Sequence, residues 1–300
     1  MSEQWTVNAA EKLTFDREVT RLRVRLIAGA VNVVATEGPA RLEVGEIEGP
    51  PLEVTLKGGE LTVGYEDLTL KDFSWKGLQP FFAKWTHTGK RRAVVSLAVP
   101  AGTRIELASV SSDTVISGIT APVSVHSVSG ATTLVGLAGR AEANTVSGSI
   151  QAQGVSGDLK VKTVSGELTV FDCTSGTLRA NSVSGPVTVD LAYDNATDIS
   201  LSNISGDVAV RIPALAHTEV RADTTIGDVS SAFDELHLTS TWGAKQFTGK
   251  LGQGTGKLKI TTVSGAVALL RRPAPEDDAP RDAPRAIESD AIEFTKEDQA

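Results

Sequence analysis

The aspartates and histidines of this chain are the side chains that could carry out hydrolysis. Glycan hydrolysis needs two carboxylates flanking one bond, and acyl transfer needs a nucleophile within hydrogen-bond reach of a base. The aspartates and the four histidines fall at unrelated positions of the repeat described below. We therefore predict no catalytic residues and no enzyme activity. The residues concerned are Asp158, Asp172, Asp190, Asp207, Asp223, Asp228, His87, His126, His217 and His237.

Metal and cofactor sites are not indicated either. Cys173 is the only cysteine, which excludes an intrachain disulfide and a cysteine-rich metal site. The glycine run at residues 252–256 is followed by a strand-like segment, whereas a phosphate loop needs a helix there. We therefore predict no bound metal and no cofactor.

One segment, residues 66–92, combines aromatic and basic side chains. When exposed, such a segment can dock on a partner protein or on an anionic membrane surface. It can equally fold over an open end of a repeat array, where unpaired strand edges need cover. Both interpretations stay open. The candidate docking residues are Phe73, Trp75, Lys76, Phe81, Phe82, Trp85, Arg91 and Arg92.

The elements that must position these side chains come from a tripeptide, Val-Ser-Gly, that recurs along the chain. Its copies are 18 residues apart at first and 19 to 22 apart later, with a gap of 37 residues before the last one. A period of this length is typical of a solenoid. The apolar members are Val110, Val128, Val146, Val164, Val183, Ile204, Ile226 and Val263. The glycines are Gly130, Gly148, Gly166, Gly185, Gly206 and Gly265.

Apolar residues, with an occasional threonine, follow Val110, Val128 and Val146 at +4, +6, +9, +13 and +15. The +4/+6 pair has the period of two that β-strands show, and the glycines supply turns. Constant spacing of equivalent residues favours parallel coils over hairpins. We therefore predict an all-β fold, a right-handed parallel β-helix (β-solenoid) with 18–22 residues per coil. The valines are predicted to point inward as one core column, and Cys173 to be a small buried side chain.

The sequence divides into three regions. Residues 1–100 are predicted to be strands that extend or cap the solenoid, with a hairpin at residues 52–63. Residues 101–272 are predicted to be the solenoid, interrupted by an insertion at residues 231–257. Residues 273–300 are acidic and rich in proline and alanine, so a disordered tail is predicted there. Within that tail, the Ile-Glu-Phe sequence at 292–294 is a candidate docking motif.

Charge and the start of the chain limit the classes of partner and compartment. The net charge of −8 argues against nucleic-acid binding. The first residues lack the basic and apolar regions of a signal peptide, and no apolar stretch is long enough for a membrane span. We therefore expect a cytoplasmic protein without nucleic-acid partners.

The repeat resembles a known bacterial family. The residues that carry the resemblance are the Val-Ser-Gly coils, the lead-in Val99-Pro100-Ala101-Gly102 and the closing Lys259-Ile260-Thr261-Thr262-Val263-Ser264-Gly265. They are similar to domain of unknown function 4097, also called the putative adhesin or β-strand repeat-containing family, over residues 15–272. The resemblance implies a single-stranded parallel β-helix and a link to surface adhesion or envelope stress. It implies no catalytic residues.

These observations together predict a non-catalytic β-solenoid scaffold or protein-interaction module. It would bind a protein partner through a coil face or through residues 66–92, with contact to a membrane surface as a further option. One alternative is end-to-end self-assembly, as in the bactofilin cytoskeletal solenoids. The other alternative is a glycan-active β-helix enzyme.

Overall fold

The computed structural model describes residues 2–65, 91–174, 176–191, 198–213, 216–241 and 244–272. Every regular element within these ranges is a β-strand. None of the described residues belongs to a helix that could cross a membrane. The chain is therefore all-β, as its valine-, threonine- and glycine-rich sequence predicts.

The first eight strands include two long ones, the third and the eighth. The eight strands are β1 (Ser2–Val7), β2 (Glu11–Phe15), β3 (Arg21–Thr36), β4 (Ala40–Glu48), β5 (Leu52–Lys57), β6 (Glu60–Gly64), β7 (Arg92–Pro100) and β8 (Arg104–Ser117). The predicted hairpin is confirmed, since β5 and β6 pair antiparallel. Its turn contains Gly58 and Gly59 at φ 58° and 79°, a backbone conformation that glycine adopts without steric cost.

After β8, short strands alternate between two ladders. The first ladder contains β9 (Val123–Ser129), β11 (Ala141–Thr145), β13 (Leu159–Ser165), β15 (Thr177–Ser184) and β17 (Asp198–Ser205). The second contains β10 (Thr132–Val135), β12 (Ile150–Gln153), β14 (Leu168–Cys173), β16 (Val187–Leu191) and β18 (Val208–Pro213). Neighbours within each ladder pair in parallel. The parallel solenoid architecture is confirmed.

The core lies between the two ladders, where side chains of the same kind stack in register. One column of the first ladder contains Val123, Ala141, Leu159, Leu178 and Ile199. Its counterpart in the second ladder contains Thr132, Ile150, Leu168, Val187 and Val208. All of these side chains are buried, and burying each large aliphatic one stabilises the fold by about 1.5–3 kcal/mol. Cys173 is also buried, as predicted.

The two ends of the ladders are covered by antiparallel strands. At the N-terminal end, β5 and β1 continue the first ladder outward from β6, and β4 and β2 continue the second from β7. Trp5 of β1 and Phe15 of β2 pack edge to face across the two ladders, with ring centroids 5.3 Å apart. Antiparallel cover of this kind reduces the number of exposed parallel strand edges.

The C-terminal strands do not stack in chain order. They are β19 (Thr218–Ile226), β20 (Val229–Ser231), β21 (Leu236–Thr241), β22 (Ala244–Leu251), β23 (Gly256–Ser264) and β24 (Val267–Arg272). In the first ladder β23 lies between β17 and β19, and in the second β24 lies between β18 and β20. The last coil of the chain is therefore inserted between two earlier ones. The β21–β22 hairpin, from the predicted insertion, covers the outer edge of β19.

The prediction that the repeat valines form a core column is wrong for all but Val110. Val110 is buried, whereas Val128, Val146 and Val164 are half-buried. The later members are exposed, with fractions of 43% for Val183, 51% for Ile204 and 46% for Val263. The reason is strand alternation, because inward Val123 and Val125 of β9 make Ser127 point inward and Val128 outward.

For Ile226, the prediction is wrong both in its position within the repeat and in the direction of its side chain. Ile226 pairs with Ser264 and Thr224 pairs with Thr262, so Ile226 occupies the serine position of the tripeptide. Its exposed fraction is 68%. Ile226 directly precedes Gly227, where the other copies have a serine before the glycine. The sequence alignment therefore matched Ile226 to the valine although it occupies the serine position.

The glycines of the tripeptide are required by close approach between coils. A Cβ on Gly148 would lie 2.0 Å from the carbonyl oxygen of Gly130, and one on Gly166 would lie 2.1 Å from that of Gly148. Such distances are too short for any side chain, so the corner must be glycine in successive coils. The interpretation of these glycines as turn residues is supported by this geometry.

Candidate binding groove

A groove runs across the outer face of the first ladder, over β8, β9, β11, β13, β15, β17 and β23. Its cavity volume is about 1050 Å³. The repeat valines, now on the outside, line its length. We call Val128, Val146, Val164, Val183, Ile204 and Val263 the apolar column. Strand register places them side by side, one per coil.

A second line of groove residues lies two positions earlier on the same strands. These residues, the polar row, are His126, Asn144, Lys162, Asn181, Ser202 and Thr261. They face outward like the apolar column because side chains two apart on a strand share a face. The groove therefore presents an apolar strip beside a strip of hydrogen-bonding groups.

A third line of outward residues, the charged row, lies two further positions earlier. It contains Glu106, Ser124, Glu142, Lys160, Arg179, Ser200 and Lys259 in register. The acidic members come first along the ladder, and the basic members follow from β13 onward. The charge beside the groove thus changes sign along the solenoid axis.

Ion pairs neutralise the acidic members of the charged row, whereas three basic side chains of the charged and polar rows lack such pairs in the described structure. Glu106 pairs with Arg23 at 3.1 Å, and Glu142 pairs with Lys160 at 3.0 Å. Lys162, Arg179 and Lys259 form no ion pair with any residue that the structure describes. The basic half of the groove is therefore the half that can attract an acidic ligand.

His126 and Glu142 are the groove residues whose pKa values depart from their usual range. Burial lowers the pKa of His126, although the nearby carboxylates of Glu142 and Glu106 act in the opposite direction. For Glu142, burial raises the pKa, but hydrogen bonds from Lys160 and Asn144 outweigh it and leave the pKa lowered. The Nε2 atom of His126 lies 3.1 Å from Ser124 Oγ, within hydrogen-bond distance.

Beneath the apolar column lies an inner polar column. It is formed in each coil by the residue directly before the repeat valine or before the residue that takes its place. Its members are Ser109, Ser127, Thr145, Thr163, Ser182, Asn203, Thr262 and Thr224, and all are buried. Some of them hold the glycine corner: Thr145 Oγ1 accepts a hydrogen bond from Gly148 N at 3.1 Å. Asn203 Nδ2 donates to the carbonyl oxygens of Gly185 and Gly206. Thr145 and Asn203 therefore hold the bend that separates the two ladders in their coils.

Only two of the predicted docking residues fall within the described residues. Arg91 lies over the ring of buried Tyr65, with its guanidinium carbon 5.4 Å from the ring centroid. Arg92 begins β7 and pairs in register with Ala28 of β3. The others, Phe73, Trp75, Lys76, Phe81, Phe82 and Trp85, lie outside the described residues, as does the tail at 273–300. Neither arginine belongs to the groove.

Two of the aspartates singled out in the sequence approach the same arginine. Asp172 and Asp190 both contact Arg272, at 3.1 Å and 3.4 Å, because β14 and β16 are neighbours in the second ladder. The arginine ties the last strand to earlier coils. No group of three or more His, Cys, Asp or Glu residues suited to a metal occurs in the described part of the chain. Burial raises the pKa of the Cys173 thiol to about 11.

Sequence reasoning missed the groove because it assigned direction by hydrophobicity. The available signal was the parity of each strand: the inward positions at 123 and 125, or at 159 and 161, predict an inward residue two positions later. That residue is a serine or threonine, and the valine after it must then face outward. An inward serine or threonine followed directly by an outward valine therefore marks the surface.

The chain is similar to one protein family and to several solved structures. The family model Toastrack DUF4097 matches residues 52–270. No curated protein matches the chain. Among solved structures, the chain is similar to a putative cell adhesion protein of Clostridium sporogenes, at 12% identity over 91% of this chain and 100% of that one, with a TM-score of 0.28. It is also similar to a putative adhesin of Parabacteroides distasonis, at 9% identity over 87% and 96%, with a TM-score of 0.34.

Proposed function

This chain belongs to the DUF4097 (Toastrack) family, and we propose its function from the side chains on its surface. It is a non-catalytic binding module, and the groove on the first ladder is its binding surface. The partner is a protein that offers an extended segment with aliphatic and acidic side chains. We take the coils to be right-handed, which is the general preference of parallel crossovers.

The observation that carries this proposal is the apolar column. Six aliphatic side chains on neighbouring strands are half-buried or exposed, whereas the surfaces of monomeric proteins rarely carry large contiguous apolar patches unless these bind something. The column crosses five strand spacings, a length of about 24 Å. An extended peptide rises about 3.3 Å per residue, so a segment of roughly seven residues would cover it.

The charge beside the column supports an acidic partner. Lys162, Arg179 and Lys259 lie on the outer face of the same ladder and form no ion pair among the described residues. An acidic segment would satisfy them, and opposite charge would speed association and fix the direction of the bound chain. The polar row, with the amides of Asn144 and Asn181, could hydrogen-bond a peptide backbone.

The segment at 66–92 stays a second candidate surface of the same module. The contact of Arg91 with buried Tyr65 at the end of β6 favours a cap, because it holds the start of β7 against the core. A deletion within 66–90 that leaves groove binding unchanged would support the groove as the binding surface.

The proposal can be tested by selecting peptides from a random displayed library on the immobilised full chain. Selected sequences should be acidic and aliphatic, and they should lose binding to the double variant Val164→Asp, Val183→Asp. Both side chains point outward, so the fold should persist. The matched control is Val115→Asp, whose exposed side chain (39%) lies on the second ladder. Selected peptides that bind the groove variant as well as the wild type would contradict the proposal.

A further inference from the structure

We propose that the groove is a docking site for the C-terminal segment of this same chain, residues 287–294. This inference rests on the proposed function for the identity of the binding surface, and it names a regulator of that surface. The segment would occupy the apolar column and exclude other ligands until a partner displaces it.

The composition of the chain beyond β24 matches the groove. Residues 273–300 contain nine acidic and three basic residues, a net charge of −6. The large apolar side chains of this stretch are Ile287, Ile292 and Phe294, and all lie within 287–294. The same eight residues contain three acidic side chains and no basic one. The segment is thus aliphatic, aromatic and acidic, the combination that the groove selects.

Basic side chains in and beside the groove lie near the coil from which the acidic C-terminal stretch begins. Lys259 belongs to β23, which β24 directly follows, and Arg179 and Lys162 lie two and three strands further along the ladder from β23. None of the three forms an ion pair within the described ranges. An acidic segment leaving β24 therefore starts on the coil that contains one free cation and approaches the other two.

The length of chain is sufficient to reach the groove. Arg272 ends β24 and is anchored to Asp190 and to the carbonyl oxygen of Leu191. Fourteen residues separate it from residue 287, and they span up to about 50 Å when extended. Residues 287–294 in an extended form cover about 26 Å, which is close to the length of the apolar column.

Tethering makes even weak docking effective. A segment joined by a short linker experiences an effective concentration on the order of 1 mM. A segment with a dissociation constant of about 1 mM would then occupy roughly half of the grooves, and a competing ligand would bind about twofold more weakly. The groove would be partly self-occupied without any strong contact.

The experiment places a nitroxide label on Thr295→Cys in the full chain and measures broadening of valine methyl NMR signals. The native Cys173 is buried and should remain unlabelled in the folded protein. We expect Val146, Val164 and Val183 to be broadened more strongly than Val115, which faces outward on the second ladder. The broadening should not change on tenfold dilution. Equal broadening of all four valines would overturn the proposal, and loss of the broadening on dilution would assign the occupant to a second copy.

Three double variants check the chemistry. The variant Lys162→Glu, Arg179→Glu should remove the broadening, whereas Arg41→Glu, Lys57→Glu, with the same change in net charge away from the groove, should leave it. In an unlabelled chain, Ile292→Ser, Phe294→Ser should raise the affinity for a library-selected peptide about twofold. Persistence of the broadening in the Lys162→Glu, Arg179→Glu variant would contradict the charge argument.

The two proposals can fail separately. If library-selected peptides depend on Val164 and Val183 but the nitroxide broadens no groove methyl, the tail inference fails and the binding module stands. If the groove methyls are broadened but selected peptides ignore the groove variants, the proposed function fails and the tail contact stands.

Discussion

Thr145 and Thr163 occupy equivalent inner positions in neighbouring coils but differ in their hydrogen bonds. Thr145 Oγ1 accepts from Gly148 N at 3.1 Å. The corresponding amide of Gly166 donates instead to the carbonyl oxygen of Ser184, at 3.2 Å. Thr163 Oγ1 is buried and has no hydrogen-bond partner among the described residues. One threonine therefore holds a corner, and the other contributes mainly its shape.

This difference predicts opposite results for one substitution at two sites. Thr145→Val should lower the free energy of unfolding by about 1–3 kcal/mol, because the buried Gly148 amide loses its acceptor. Thr163→Val should leave the free energy of unfolding unchanged or raise it, because no hydrogen bond is lost. Urea denaturation of both variants measures the effect. Equal losses in the two variants would show that the Thr145 hydrogen bond is not the cause.

The direction of single residues was the hardest feature to predict from sequence. The +4/+6 positions, such as Ile150 and Ala152, are buried as expected. In a strand with alternating apolar residues, the apolar face is the one that faces the core. The valine of the tripeptide was assigned inward by its hydrophobicity alone. Parity along the strand outweighs hydrophobicity, since a residue cannot point the same way as its neighbour.

At the level of elements, the position of β23 separates this fold from a simple stack. β23 pairs with β17 on one side and β19 on the other. β21, earlier in the chain, pairs only with β22 among the described strands. Amides held between two strands open less often than amides of an edge strand. Order along the chain and protection from solvent are therefore decoupled at this end.

We predict that hydrogen exchange will be slower in β23 than in β21, although β23 lies nearer the C-terminus. Peptides covering 257–263 should keep deuterium protection longer than peptides covering 236–240 in a native-state exchange experiment followed by mass spectrometry. Peptides from β13, with two parallel neighbours, serve as the internal standard. Faster exchange in β23 than in β21 would contradict the inserted position of the last coil.

The order of the last coils could not be predicted from the repeat. Each coil offers the same columns to its neighbours, so Leu258 fits beside Ile199 as well as Val220 would. What decides the arrangement is the β21–β22 hairpin, which occupies the outer edge of β19 and leaves β23 the inner position. The insertion at 231–257 was recognised in the sequence, but its effect on strand order depends on antiparallel pairing that has no local signature.

At the scale of the whole molecule, stability depends on pH through two described groups whose pKa values are shifted outside the carboxylate range. The pKa of His126 is lowered from 6.5 by burial, so its contribution is present above pH 6.5 and is lost as pH falls below that value. The pKa of Cys173 is raised from 9.0 to about 11 by burial, so its contribution is lost as pH rises above 9. Between these limits both groups are neutral in the folded and in the unfolded chain.

We therefore predict that the free energy of unfolding is highest and nearly flat between about pH 6.5 and 9. His126→Asn should flatten the decline between pH 6.5 and 5, and Cys173→Ala should flatten the decline above pH 9. The loss of unfolding free energy above pH 9 is at most about 3 kcal/mol, because the pKa of Cys173 is raised from 9.0 to about 11. Urea denaturation across the pH range measures both slopes. An acid slope that is unchanged in His126→Asn would exclude this histidine as its source.

The sequence predicted the architecture of the whole molecule better than its surface. Period, strand alternation and glycine corners are sufficient for a parallel solenoid, because each is a local requirement repeated in every coil. The groove depends on which side of each strand faces out and on how the charges of separate coils line up, from Glu106 to Lys259. Those features emerge only when the coils are in register.

The inserted last coil has a consequence for how the protein is made. While the chain is being synthesised, β19 and β20 leave the ribosome before β23 and β24, yet the place beside β17 and β18 is not theirs. A nascent chain that ends near residue 231 offers β19 as a neighbour for β17, a pairing that the finished protein does not use. The native arrangement forms only after the final coil has been made, so any earlier pairing of β19 with β17 has to open before β23 can lie between them.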